Sequence, residues 1–294
     1  MTSAKTLHGD RLVLRYGRSV VVHGVSVRLR PGRVTALVGP NGSGKSTLLR
    51  ALARLHDVAD GQVLLAEGAG ADGAGAADAV GTPVSLLTRR DFAREVTLFA
   101  QTHAAPEGLS VAEIVALGRH PYRRRLGGLS DDDRRAIDHA MRVTGLQHKT
   151  RHAAGELSGG EMQRVWLAAC LAQSTGVVLL DEPTNHLDLR YQVETLDLMR
   201  ELADAHGVAV GVVLHDLEQA ASVADTLLLL DHGRVHAAGE PREVLTAEHI
   251  QGVYGIPVEV GVDPRSGALH IDPVSSRRRP RTSIPREETR KDHE

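Results

Sequence analysis

The chain holds one cysteine, Cys170, in 294 residues. A lone thiol forms no internal bridge, so no disulfide framework supports the fold, and a reducing compartment suits it. Its setting, "WLAACLAQ", is apolar and helical, which predicts an inert, buried thiol. Aromatic residues amount to 2%, too few for a platform that stacks bases on rings. Neither sign of charge dominates: the formal net charge is −2, so no global field draws nucleic acid. No apolar run approaches the ~18 residues needed to span a bilayer. The longest, such as "GVVLL" and "TLLLL", are strand length, and residues 1–10 lack the apolar core of a secretory leader. These absences predict a chain that resides in the cytoplasm and binds no nucleic acid.

What is present is enough for a large core. The chain is 41% hydrophobic, and its length falls between one large domain and two ordinary ones. The opening "RLVLRYGRSVVVHGVSVRLRPG" alternates β-branched with polar residues and predicts two antiparallel strands. Later runs, "VTALVG", "VVLLD" at 177–181, "VAVGVVLH" at 208–215 and "TLLLLD" at 226–231, are continuously apolar, as strands buried on both faces are. Helical patterns separate them. The predicted fold is α/β: a mixed, mainly parallel sheet with an antiparallel β flank, and the "GPNGSGKST" that follows "VTALVG" makes its centre a P-loop NTPase core. Residues 103–172 carry three helical patterns and no strand, so they read as an inserted helical subdomain. Within it, Ser130 with Asp133 spells an N-cap with an acidic first turn. "AEGAGADGAGAADAVG" at 66–81 offers little to bury and predicts a flexible loop. The end, "SSRRRPRTSIPREETRKDHE", is charged, Pro-broken and aperiodic, which predicts a solvated, disordered tail. Domain limits follow as 5–260, with 261–294 as a C-terminal extension.

The chemistry starts at "GPNGSGKST", residues Gly39, Pro40, Asn41, Gly42, Ser43, Gly44, Lys45, Ser46 and Thr47. It follows a predicted strand and opens a predicted helix, the context a P-loop requires. Glycines admit positive φ and close backbone approach. Backbone N–H groups of residues 42–47, at the positive helix end, would cradle a β-phosphate. Lys45 neutralises β/γ oxygens, and the Ser46 hydroxyl ligates Mg²⁺. "VVLLDEPTNHLD" adds carboxylates. Asp181 ends an apolar strand, where a metal ion or metal-held water relieves its charge. Glu182 beside it is placed to take a proton from an attacking water. His215 closes the next strand, as a structural residue or a γ-phosphate contact at the sheet's carboxyl edge. Gln101, in "VTLFAQ", follows another strand and can orient water or reach Mg²⁺. Tyr16 is either a half-buried strand residue or an aromatic face for the base.

A second glycine pair, in "ELSGGEMQRV" at 156–165, leads into a helix and reads as another anion site. One small domain has no evident use for two. The order of P-loop, Gln101, "LSGGE", "LLDEP", Asp188 in "HLD" and His215 resembles the ATP-binding subunits of ABC transporters over residues 10–260. The resemblance implies that Tyr16 stacks on adenine, that Lys45, Ser46 and Asp181 handle phosphate and Mg²⁺, and that Glu182 is the base. It implies His215 as the γ-phosphate contact, Asp188 as the D-loop acid, and Gln101 as the link between the Mg²⁺ site and the membrane partner. It further implies that Leu157, Ser158, Gly159, Gly160 and Glu161 act in trans, on ATP held by a second subunit. Gly118, Arg119 and Pro121 in "GRHPY" resemble the importers of ferric siderophores, haem and cobalamin. Departures include Ala100 where Pro is usual and Glu161 where Gln is common.

The resemblance thus implies an ATPase that powers import of an iron chelate as a homodimer on the cytoplasmic face of the membrane. Its partners would be a separate permease and, indirectly, a substrate-binding protein. A translation or DNA-repair ATPase of the same fold typically carries two cassettes or a long coiled coil, and neither is present. A P-loop kinase leaves "LSGGE" unexplained.

Overall fold

The computed structural model describes residues 4–68, 81–100, 108–123, 128–185 and 187–274. Gln101, residues 69–80 of the Ala/Gly stretch, residues 103–107 and the charged tail from 275 lie outside the described residues. Along the chain run β1 (Lys5–Tyr16), β2 (Ser19–Leu29), β3 (Val34–Val38), α1 (Lys45–Leu52), β4 (Val58–Glu67), β5 (Thr82–Pro83), α2 (Arg89–Glu95) and β6 (Val96–Phe99). Next come α3 (Val111–Leu117), α4 (Asp131–Val143), α5 (Gly159–Ala172), β7 (Val177–Asp181), α6 (Leu189–Asp204) and β8 (Ala209–Val213). The chain continues with α7 (Leu217–Val223), β9 (Thr226–Asp231), β10 (Arg234–Gly239), α8 (Pro241–Val244), α9 (Ala247–Tyr254), β11 (Val258–Val262) and β12 (Leu269–Pro273).

The apolar runs form the six-stranded sheet, in the order β10-β9-β3-β8-β7-β6. All its neighbours are parallel except the β9–β10 edge pair. Every residue of β3, β7 and β8 is buried, as a sheet covered on both faces demands. The alternating segments form the antiparallel sheet β2-β1-β4-β5. Helix α1 fills the space between the sheets, with Leu48, Leu49 and Leu52 in one core with Leu7, Leu29 and Leu179. A second core, with Leu180, Met199, Val210 and Leu229, covers the other face of the large sheet. The fold is therefore the α/β arrangement expected, with its β flank.

Helices α3, α4 and α5 enclose a core of their own, built on Ile114, Met141, Val165 and Ala168. The "GRHPY" run explains how it is fastened. A Cβ on Gly118 would lie 1.9 Å from the Ala169 carbonyl oxygen, so only glycine lets α3 meet α5 this closely. Arg119, itself 6% exposed, donates from Nε to Asp133 Oδ1 at 2.7 Å and from Nη1 to the Ala172 carbonyl at 2.9 Å. Its guanidinium lies 3.8 Å from the Tyr122 ring centroid. Asp133 also completes the expected capping box with Ser130. Burial works to raise the Asp133 carboxyl's pKa, but hydrogen bonds from Arg119 and Ser130 outweigh it and hold it low. The Pro121 carbonyl accepts from Arg90 and Arg94 of α2.

Two boundaries need correction. The expected loop at 66–81 starts too early, because Ala66 and Glu67 belong to β4 and pair with Thr6 and Lys5 of β1. Backbone pairing of this kind needs no bulky side chain, so composition did not reveal it. The expected domain limit at 260 cuts through β11, which pairs along its length with β12. That hairpin docks on α7, where Glu218 Oε1 accepts from the Ile271 N–H at 2.8 Å and meets His270 Nδ1 at 2.9 Å. No helix among the described residues is long and apolar enough to cross a membrane.

Candidate functional site

Strands β3, β7 and β8 run in parallel, so the groups that follow them meet at one carboxyl edge. There β3 ends in the 39–44 loop and α1 begins at Lys45. Gly39 sits at φ 143°, and a Cβ there would come within 2.1 Å of the Leu230 carbonyl oxygen. Gly44, the α1 N-cap, sits at φ 97°. These two positions tolerate no side chain, while the first-turn N–H groups of α1 give the loop its positive end. Lys45 is buried and donates from Nζ to the Gly39 and Pro40 carbonyls at 2.7 and 2.9 Å. Burial lowers its pKa, and the charges of Glu182 and Asp181 act against that shift.

Ser46, one residue on, donates to Asp181 Oδ1 at 2.7 Å. Asp181 is 1% exposed, and its Oδ2 is buried without a hydrogen-bond partner. Arg50 comes only within 3.7 Å of that oxygen. Burial raises the Asp181 pKa; the Ser46 hydroxyl and the Arg50 charge pull it down less strongly. A buried carboxylate oxygen with no hydrogen-bond donor, beside a hydroxyl and with Arg50 no nearer than 3.7 Å, is costly unless a further charge reaches it. Such an oxygen pair suits a hard divalent cation.

Glu182 has a left-handed backbone, φ 54°, unusual for a residue with a side chain. The strain, about 1–3 kcal/mol at such sites, is held by the Glu182 N–H to the Val213 carbonyl at 3.2 Å. Both carboxylate oxygens are engaged. His215 Nε2 lies 2.5 Å from Oε1, and Asn185 Nδ2 donates to Oε2 at 2.5 Å. The structure therefore brings His215, two residues past β8, onto the residue that follows Asp181.

Tyr16, last in β1, is 53% exposed and presents one ring face to His56, with centroids 4.6 Å apart at 24°. Ser158 is the N-cap of α5 and forms a capping box with Glu161. The departure to Glu161 thereby gains a local reason. Its carboxylate takes the Ser158 N–H at 2.9 Å and pairs with Lys149, and its pKa falls to about 2, chiefly through the Lys149 hydrogen bond. Among the described residues, no hydrogen bond or ion pair joins Leu157, Ser158, Gly159, Gly160 or Glu161 to residues 39–47. The first turn of α5 instead adjoins the turn after β7, where Gln163 Nε2 donates to the Pro183 carbonyl at 2.7 Å. Asp188 caps α6, accepting from the Tyr191 N–H at 3.1 Å. The Cys170 thiol is pushed up to about 12 by burial and takes no part in the site.

Sequence reasoning passed over Asn185, Arg50 and His56. The first sits inside the quoted "DEPTNHLD", where an Asx residue four places after a strand end is a turn signal. The other two reach the site only through folding, Arg50 from the exposed side of α1 and His56 from the turn before β4.

Residues 22–185 match the ABC transporter family. The chain is 38% identical over 272 residues to the ferric enterobactin transport ATP-binding protein FepC of Escherichia coli, covering 92% of this chain and 95% of that one. It is 39% identical over 257 residues to the cobalamin import ATP-binding protein BtuD of Halobacterium salinarum, covering 87% and 61%. A solved ABC transporter described as of metal-chelate type, in an inward-facing conformation, superposes with a TM-score of 0.76 at 25% identity, covering 92% of this chain and 98% of that one. With the phosphate loop, the carboxylate pair and the glycine-led helix in their places, this chain belongs to the ABC transporter family as one of its ATP-binding, ATP-hydrolysing subunits.

Proposed function

We propose that this subunit powers import of a metal chelate, a ferric siderophore foremost, through a separate membrane permease. The observation that carries the reading is the end-to-end match, 92% of this chain and 95% of the other, to a protein of ferric enterobactin transport. The match to a cobalamin import protein spans 61% of that protein's length. Both named cargoes are bulky metal chelates, as is the class named for the solved transporter.

In this reading two identical chains bind two ATP molecules between them. Tyr16 stacks on adenine. Gly39, Pro40, Asn41, Gly42, Ser43, Gly44 and Thr47 present the loop backbone to the phosphates, and the Lys45 ammonium turns to the β/γ oxygens. The Ser46 hydroxyl, Asp181 and Gln101 would hold Mg²⁺, and the Asp181 Oδ2, buried without a hydrogen-bond donor, supports that fit. Mg²⁺ when bound neutralises charge on the β- and γ-phosphate oxygens. Glu182 accepts a proton as water oxygen bonds to the γ-phosphorus and the bond to the β-bridging oxygen breaks, releasing ADP. His215, whose ring nitrogen lies against Glu182, orients the carboxylate and reaches the γ-phosphate. Leu157, Ser158, Gly159, Gly160 and Glu161 approach the partner's ATP, with Asp188 on the adjoining turn. Gln101 couples the site to the permease, on the cytoplasmic face of the membrane, and a substrate-binding protein delivers cargo on the far side.

Growth of a strain lacking the gene tests the cargo. Loss of growth on ferric siderophores as sole iron source, with growth on haem and uptake of cobalamin retained, is expected. Retained uptake of all three overturns chelate import, and loss of cobalamin uptake alone moves the assignment to that cargo.

A further inference from the structure

We infer that Asn185 is a positioning residue for hydrolysis: its amide fixes the Glu182 carboxylate in the orientation from which it takes the proton of water. The inference rests on the reading of Glu182 as the base. Three observations carry it. Glu182 stands on a left-handed backbone at φ 54°, so its side chain leaves the chain in a direction set by the turn and not by a regular element. That turn is closed by the Asn185 N–H to the Glu182 carbonyl at 3.3 Å. The Asn185 side chain then doubles back, and Nδ2 donates to Oε2 at 2.5 Å while His215 Nε2 meets Oε1 at 2.5 Å. The carboxylate is thus gripped on both oxygens from two different elements.

The two grips differ in kind. His215 arrives from the segment after β8 and is 36% exposed; a ring that also reaches for phosphate must loosen its hold. Asn185 belongs to the same turn as Glu182 and travels with it. A neutral donor holds a carboxylate without cancelling the charge that makes it a base. A lysine here would form a tighter pair at the expense of basicity, and an aspartate would repel. With a χ-rich side chain in a strained setting, a hold that travels with the turn shapes how often the base faces the water. A misplacement of about 1 Å costs up to about 10²-fold in rate.

The test is single-turnover and steady-state hydrolysis by the full chain carrying Asn185→Ala, Asn185→Ser and Glu182→Gln, and the Glu182→Gln/Asn185→Ala pair. Asn185→Ala is expected to lower kcat roughly tenfold with KM for ATP within about twofold and an unchanged Tm. Asn185→Ser, shorter but still a donor, recovers part of the loss. In the Glu182→Gln background, adding Asn185→Ala changes the single-turnover rate no further, because the group it orients has gone. An additive loss in that background, a raised KM with kcat intact, or no effect of Asn185→Ala overturns the inference while leaving the base in place. Turnover of Glu182→Gln near that of the natural chain overturns instead the reading of Glu182 as the base, and the inference with it.

Discussion

Single residues around the sheet edge differ in what surrounds them. Lys45, Ser46 and Asp181 are packed among backbone and each other. Tyr16 is different: its ring is half exposed and rests on His56. A flat, solvent-facing ring with its rear face already supported is suited to receive a base at little cost in ordering. Tyr16→Ala is accordingly expected to raise KM for ATP with kcat nearly unchanged, through loss of about 1–3 kcal/mol of stacking. Steady-state kinetics at varied ATP decide it, and an unchanged KM returns Tyr16 to a strand-end role. This residue was legible as a candidate because rings are scarce in the chain. Its support by His56 was not, since the two sit forty positions apart and meet only when β1 and the turn before β4 come together.

Among the elements, the helical subdomain shows a different balance. Helices α3, α4 and α5 have their own core, and the fastening between them is polar and buried. Arg119 reaches from the end of α3 to Asp133 in the first turn of α4 and to the carbonyls ending α5. Removing one partner strands the other charge in the interior. Arg119→Ala should therefore destabilise the chain by about 3–5 kcal/mol, read as a lower urea midpoint, with KM for ATP little altered in the fraction that stays folded. A loss of stability below about 1 kcal/mol, obtained from the midpoint shift and the slope m and in the range of exposed pairs, would show that the pair is not buried in solution. The cap at Ser130 was readable from a four-residue pattern, because a capping box is a local hydrogen-bonding circuit, and the structure adds boxes of the same kind at Ser110 and Ser158. The clamp was not, because it spans fourteen positions and depends on Gly118 admitting α5 to contact. The "GRHPY" run, met first as a family resemblance, is thus explained as packing.

For the whole molecule, the phosphate loop and the glycine-led helix stand on separate parts of one chain with no hydrogen bond or ion pair between them among the described residues. If each catalytic site is assembled from the loop of one chain and the helix of another, two defective chains can complement. Ser158→Arg spoils the helix and spares the loop; Lys45→Ala does the reverse. Each is expected to be inactive alone, and their equimolar mixture should regain ATP hydrolysis, since half of its dimers contain one intact site. A mixture as inactive as its components would show that the site lies within one chain.

Much of this protein is spelled in short stretches. The phosphate loop, the carboxylates at the end of β7 and the Ser130 cap depend on backbone geometry over fewer than ten residues, so residue type and spacing sufficed to find them. Continuous apolar strands announced a sheet covered on both faces for the same reason: burial on each side leaves no room for alternation. What the linear order left open are encounters between distant segments. The Asp181 oxygen buried without a hydrogen-bond donor, the two-sided grip on Glu182, the His56 ring behind Tyr16 and the docking of the last hairpin on α7 all arise where strands and helices meet in space. Local propensity fixes an element, but burial and the directions of neighbouring chains set which side chains touch, and that is settled by packing.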